Sequence, residues 1–144
     1  MNAIKLYRVA RILYNKKLKI LANMVTKINN LIHNSYIPHT ASIGENTIFA
    51  YGGIGVVLHN NAVIGNNCVI GQGITIGGRG KHGGPPVIGN NVYISPGVRL
   101  LGNFNVGDNS IIGANSVVIS EVPKNAIVVG SPARIIRYNE EESV

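Results

Sequence analysis

From Ile37 onward the chain repeats every six residues, and no other feature limits its fold so tightly. Leu58, Ile64, Ile70, Ile76, Ile88, Ile94, Leu100, Val106, Ile112 and Val118 keep one phase. A small or β-branched residue commonly sits four places later, as at Ala62, Cys68, Ile74, Val92, Val98, Ser110 and Ser116. A hexapeptide cannot bury its own aliphatic side chain. Only a stacked neighbour covers it, which is the logic of a solenoid. Each repeat therefore reads as a short strand plus a corner, and Gly or Asn after the aliphatic residue suits corners that need positive φ. The predicted class is an all-β solenoid, a parallel β-helix. Tryptophan is absent and only 6% of residues are aromatic, so the core must be aliphatic. Two insertions break the period: Ala50–Val57, "AYGGIGVV", and residues 77–87, "GGRGKHGGPPV". A loop extruded from a rigid scaffold is a favoured place for function.

Ahead of the repeats, residues 2–33 read as helix with a break near Asn15. Leu6, Val9 and Leu13 share one face, as do Leu21, Met24, Ile28 and Ile32. "HNSYIP" ends the helix at Pro38. The predicted organisation is a helical segment over 1–35, a β-helix over 36–136 with its extruded loop at 77–87, and a tail over 137–144. Residues 1–44 hold seven Lys/Arg and no Asp or Glu, whereas the rest of the chain is neutral. This imbalance suggests an anionic partner for the helix, or simply a solvated basic face whose apolar side packs on the coil or a neighbouring subunit. Nucleic acid is not expected, because no recognition motif accompanies the charge. No apolar run is long enough to span a membrane, and charges interrupt any signal-peptide core. The lone cysteine, Cys68, excludes an internal disulfide and fits a reduced, cytoplasmic setting.

A six-residue repeat resembles a coil of three hexapeptides, about 18 residues per turn. In such a coil His59 and Gly77 lie on adjacent rungs, about 4.8 Å apart. The in-phase histidine thus sits beside the Gly77–Gly78 pair that opens the extruded loop, which brings Arg79, Lys81 and His82. A histidine in that position suits acyl transfer as a general base, taking the proton of an attacking hydroxyl. Backbone N–H groups of Gly77 or Gly78 suit the developing oxyanion. For His59 the bland alternative is a solvated corner residue. For His82 it is a loop residue without a substrate, and for Tyr51 it is packing at the insertion rather than lining an acceptor pocket. His33 and His39 read as structural or solvated, Asp108 as a corner residue, and Cys68 as core.

The stretches "IGQGITIGG", "VIGNNVYISPGVRLLG", "VGDNSIIGANSVV" and "VPKNAIVVGSPARII" resemble the hexapeptide-repeat acyltransferases, and within them the serine O-acetyltransferases, over roughly residues 36–136. The resemblance implies a left-handed β-helix, a hand opposite to the usual crossover preference. It also implies acetyl-CoA as donor, no metal, and a homotrimer with its sites in the clefts between subunits. Family donor-binding positions match Gly78, Pro96 and Ala114, the last two 18 apart and so expected in one column. Charge adds Lys124, Arg134 and Arg137 as phosphate contacts. The resemblance departs on the acceptor side. Tyr36 and Tyr51 stand where the family has an aspartate and a histidine, and the loop histidine has only His82 as a near match. His59, one corner beyond Tyr51, is the candidate replacement base, with Tyr51, Arg79, Lys81 and His82 as candidate acceptor contacts.

The sequence thus reads as an acetyl-CoA-dependent O-acetyltransferase. Its expected acceptor is a sugar hydroxyl in surface-polysaccharide synthesis, with work at the inner membrane face suited to the basic helix. L-Serine is the alternative acceptor. A non-catalytic scaffold is another reading, and a three-histidine zinc site across subunits finds no suitable spacing among four histidines.

Overall fold

The structure, a computed structural model, describes residues 1–81 and 83–139 of the 144-residue chain. Two helices, α1 (Ala3–Asn15) and α2 (Lys19–His33), precede a three-faced parallel solenoid. Face one carries β1 (Ser42–Ile43), β4 (Val63–Ile64), β7 (Val87–Ile88) and β10 (Asn105–Val106). Face two carries β2 (Ile48–Phe49), β5 (Val69–Ile70), β8 (Tyr93–Ile94), β11 (Ile111–Ile112), β13 (Ala126–Gly130) and β14 (Ala133–Tyr138). Face three carries β3 (Val57–Leu58), β6 (Thr75–Gly77), β9 (Arg99–Leu101) and β12 (Val117–Val118). All pairings are parallel except β13–β14, an antiparallel hairpin that closes the C-terminal end.

The register follows the repeat. Leu58 pairs with Ile76 and Leu100 with Val118, each 18 residues on. Ile76 pairs with Leu100, 24 residues on, because the extruded loop adds one hexapeptide. Every in-phase aliphatic residue is at most 2% exposed, as are Ala62, Cys68, Ile74, Val92, Val98, Ser110 and Ser116 four places later. Burial of each such aliphatic side chain contributes roughly 1.5–3 kcal/mol.

The corners bear out the expectation for asparagine and correct it for the glycine that follows the aliphatic residue. Positive φ falls on the second residue after the glycine, at Asn46, Asn67, Asn91 and Asn109, and not on the glycine itself. The glycines serve close approach instead. A Cβ on Gly71 would lie 2.5 Å from the backbone nitrogen of Pro96 on the next rung. At the corner between faces one and two, side chains also knit the rungs. The N–H groups of Glu45, Asn66 and Asn90 donate to Oδ1 of Asn66, Asn90 and Asp108 at 2.7–2.8 Å.

The helices break where expected, and the α2 apolar face does not pack on the coil. Their buried residues are Ala3, Tyr7 and Ala10 in α1, and Ala22, Thr26, Asn29 and His33 in α2. Of the two apolar faces, Val9, Leu21, Met24, Ile28 and Ile32 are 46–53% exposed, whereas Leu6 and Leu13 are half-buried. The reason is polar. A solenoid's first coil has unpaired carbonyls on its open side, and burying them without partners is costly. α1 supplies those partners: Tyr7 Oη donates to Ala41 O (2.6 Å), Arg8 to the carbonyls of Ile43 and Gly44, Arg11 to His39 O (2.9 Å), and the Asn2 amide to Phe49 O (2.8 Å). Two of the seven N-terminal cations are therefore spent on the coil.

Candidate active site

Three edges run along the solenoid, and the candidate residues divide among them. His59 lies on the edge between faces three and one, immediately after β3. Its N–H donates to Ile76 O at 2.8 Å, and the register sets it beside Gly77 as the spacing predicts. Gly77 itself is the last residue of β6 and pairs with Leu101, so its backbone belongs to the ladder. Gly78 lies beyond the strand. A Cβ there would come 3.1 Å from Gly83 O, because the loop doubles back over it. Arg79 and Gly83 lean the other way, onto Gly102 and Asn103 of the next rung. Lys81 is exposed. His82 lies outside the described residues.

The ring of His59 is half-buried, and its Nδ1 accepts a hydrogen bond from Asn61 N–H at 3.0 Å. That bond uses the Nδ1 lone pair, so the neutral ring carries its proton on Nε2. No carboxylate among the described residues orients it. Among the described residues the acids are Glu45 and Asp108 on the edge between faces one and two, and Glu121 beyond β12, bonded to Asn105 N–H.

Tyr51, Pro96 and Ala114 lie on a different edge, between faces two and three. Tyr51 adopts a left-handed backbone (φ 50°, ψ 36°) in the turn Ala50–Gly53, with its side chain 81% exposed. Pro96 and Ala114 stack as expected, since Asn115 N–H donates to Pro96 O at 3.0 Å. The line continues: a Cβ on Gly113 would strike Val129, and Val129 pairs with Arg134. Pro96, Ala114 and Arg134 thus follow one edge. Arg137 pairs with Ile127, towards the other side of face two. Lys124 sits at the corner between faces one and two, against Gly107.

Two residues near these edges carry more than the sequence suggested. Arg99 projects from face three, between the two edges, and bonds the carbonyls of Gly73 and Gly97. It stands in an outward column otherwise formed by Val57, Thr75 and Val117, and that contrast was legible in the repeat. His39, read as structural or solvated, is 8% exposed and lines a cavity beside the His59 corner.

A parallel solenoid of hexapeptides with one loop thrown from an edge is the architecture that the resemblance to hexapeptide-repeat transferases implies. Residues 85–120 match the model of that class, the bacterial transferase hexapeptide (six repeats). The chain belongs to this hexapeptide-repeat transferase family. It is 39% identical to a serine acetyltransferase of Synechococcus elongatus over 94% of this chain and 56% of that one. It is 37% identical to serine acetyltransferase 2 of Arabidopsis thaliana over 98% of this chain and 44% of the relative. Among solved structures, Brucella abortus serine acetyltransferase in complex with coenzyme A superposes with a TM-score of 0.89 at 37% identity, over 95% of this chain and 55% of that one. A serine acetyltransferase in complex with cysteine gives 0.87 at 37% identity, over 96% and 54%. The chain spans about half the length of these relatives.

Proposed function

We propose that this protein is an acetyl-CoA-dependent O-acetyltransferase whose acceptor is the hydroxyl of L-serine. The observation that carries the proposal is the match to serine acetyltransferases along nearly the whole chain, one of them holding coenzyme A. This replaces a sugar as first acceptor, because none of these comparisons points to a polysaccharide. The edge from Pro96 through Ala114 to Arg134 suits the donor: its residues are small where a pantetheine arm would lie flat, and it ends in a guanidinium suited to phosphate. The donor supplies an activated acetyl thioester. Gly77, Gly78 and the described loop residues Arg79, Lys81 and Gly83 lie on the other edge, with His59, and within one chain face three separates the two groups. A second copy setting one edge against the other would bring them together, which supports a homotrimer with its sites between subunits.

His59 is the proposed residue at the acceptor hydroxyl. Acting as a base requires the Asn61 bond to open and free Nδ1, whereas Nε2–H is already placed to donate. Two variants separate these roles. His59→Gln keeps a donor near the Nε2 position but cannot take up a proton; activity near wild type in that variant, with loss in His59→Ala, assigns donation, and equal loss in both assigns the base.

One observation favours a second acceptor. The described residues place no carboxylate near His59, and Tyr36 and Tyr51 occupy positions where the resemblance implies the family's Asp–His pair. A sugar hydroxyl of surface-polysaccharide synthesis fits an acceptor side rebuilt in this way. The test is thiol release from acetyl-CoA with L-serine, with monosaccharides, and with neither. A cytoplasmic setting and contact with an anionic membrane through the helices complete the proposal; the outward apolar face and the exposed Lys16, Lys17 and Lys19 support the latter.

A further inference from the structure

A cavity of about 380 Å³ lies between α2 and the coil, on the same edge as His59. Lys27 comes to it from α2, and Tyr36, His39, Asn60 and Asn61 from the coil. The walls are preset. The His39 ring is held by a 3.0 Å bond between Nδ1 and Thr26 Oγ1, and by Tyr14, whose ring centroid lies 4.9 Å away. His39 is more than nine-tenths buried, and among the described residues no protein group bonds its Nε2, which keeps access to the solvent of the cavity. The Tyr36 hydroxyl donates to Asn60 Oδ1 at 2.9 Å, which leaves the Asn60 amide nitrogen for another acceptor. Burial and the neighbouring Arg11 hold the His39 ring below the usual imidazole range, so it is neutral near pH 7.

Charge narrows the occupant. Among the described residues Lys27 is the one charged side chain in the lining, and no Asp or Glu joins it. The ammonium group of a free amino acid would meet Lys27, with Arg11 behind the wall, and find no carboxylate. Hydroxyl groups suit amides, a phenol and a neutral imidazole, each of which both donates and accepts or does so by pairing. An acid group on the ligand would gain from Lys27.

We propose that this cavity binds a monosaccharide-sized molecule, neutral or anionic, held by Nε2 of His39 and the side chains of Asn60 and Asn61. The inference does not rest on acetyl transfer, because binding is read without a donor. The experiment uses the full chain with 15N-labelled histidine, titrated separately with N-acetyl-D-glucosamine, D-galactose, D-galacturonate and L-serine, with His39→Gln identifying the His39 ring signals. The expected result is a saturable shift of those signals with at least one sugar and none with L-serine. Asn60→Ala is expected to weaken the responding sugar about tenfold, and Lys27→Met to weaken D-galacturonate alone if that sugar responds. Both of these positions are exposed, so the test survives if His39→Gln fails to fold. Silence with all three sugars, saturation by L-serine, or unchanged sugar binding in Asn60→Ala overturns the proposal. Coenzyme A binding by the same sample reports separately on the acetyltransferase reading.

Discussion

The solenoid and the helical hairpin obey the same hydrophobic rule with opposite outcomes. In the coil every periodic aliphatic residue points inward. In the helices Val9, Leu21, Met24, Ile28 and Ile32 point outward, while Tyr7, Thr26, Asn29 and His33 are buried. The coil closes its own hydrogen bonds rung by rung, so apolar burial alone decides its register. The hairpin covers the open end of that ladder, and there the unpaired carbonyls decide which face turns in. An end cap is selected for its donors, and its apolar face is left for something else.

Substitutions sharpen this contrast. The largest effect is expected at Gly71→Val, whose side chain would collide with the backbone at Ser95 and Pro96. The variant is expected to lose cooperative unfolding or more than about 4 kcal/mol in a denaturant titration. Ile70→Ala, fully buried in the aliphatic column, is expected to cost about 2–5 kcal/mol in the same assay. Tyr7→Phe removes a hydroxyl that donates to Ala41 O and accepts from Ile43 N–H, and is expected to cost about 1–3 kcal/mol. A loss that small from one hydroxyl, yet larger than from an apolar helix residue, would confirm that the cap works through polar groups. Met24→Ala is the counterpart. At 53% exposure it is expected to change stability by no more than about 0.5 kcal/mol. If it also weakens sedimentation with phosphatidylglycerol vesicles, the outward face has found its occupant; a Met24→Ala loss as large as that of Ile70→Ala would break the comparison.

The smallest effect is in pH. Burial, and then Arg11, lower the His39 pKa in the folded chain. Protonation therefore favours the unfolded state. The stability this group contributes is present above about pH 6.5 and is lost as pH falls towards the folded pKa. The thermal midpoint is expected to decline modestly between pH 7 and 5, and less so in His39→Gln.

The same contrast explains what was legible in the sequence. The inward column, the two insertions, the helix break after Asn15 and the stacking of Pro96 on Ala114 all follow from a fixed period, and a period is local information. The helix orientation is not local. The pattern of Leu21, Met24, Ile28 and Ile32 marks an apolar face without saying what lies against it, and nothing in the helix announces the carbonyls of Ala41 and Ile43 that draw Tyr7 and Arg8 inward. At the site, the spacing placed His59 beside Gly77, but the use of Nδ1 by the Asn61 N–H depends on a corner conformation the spacing does not contain. His39 lies at the edge of the first coil, where the repeat itself marks no site. Its setting is made by Thr26 and Tyr14, from helices whose packing the pattern could not assign.

The most direct measurement is release of coenzyme A thiol from acetyl-CoA by the purified protein, with and without L-serine. Serine-dependent release, strongly reduced in His59→Ala, is the predicted result. Release that needs a monosaccharide instead of serine would keep the acetyltransferase and change its acceptor. No binding of acetyl-CoA, and no release with any hydroxyl acceptor, would contradict the account at its centre.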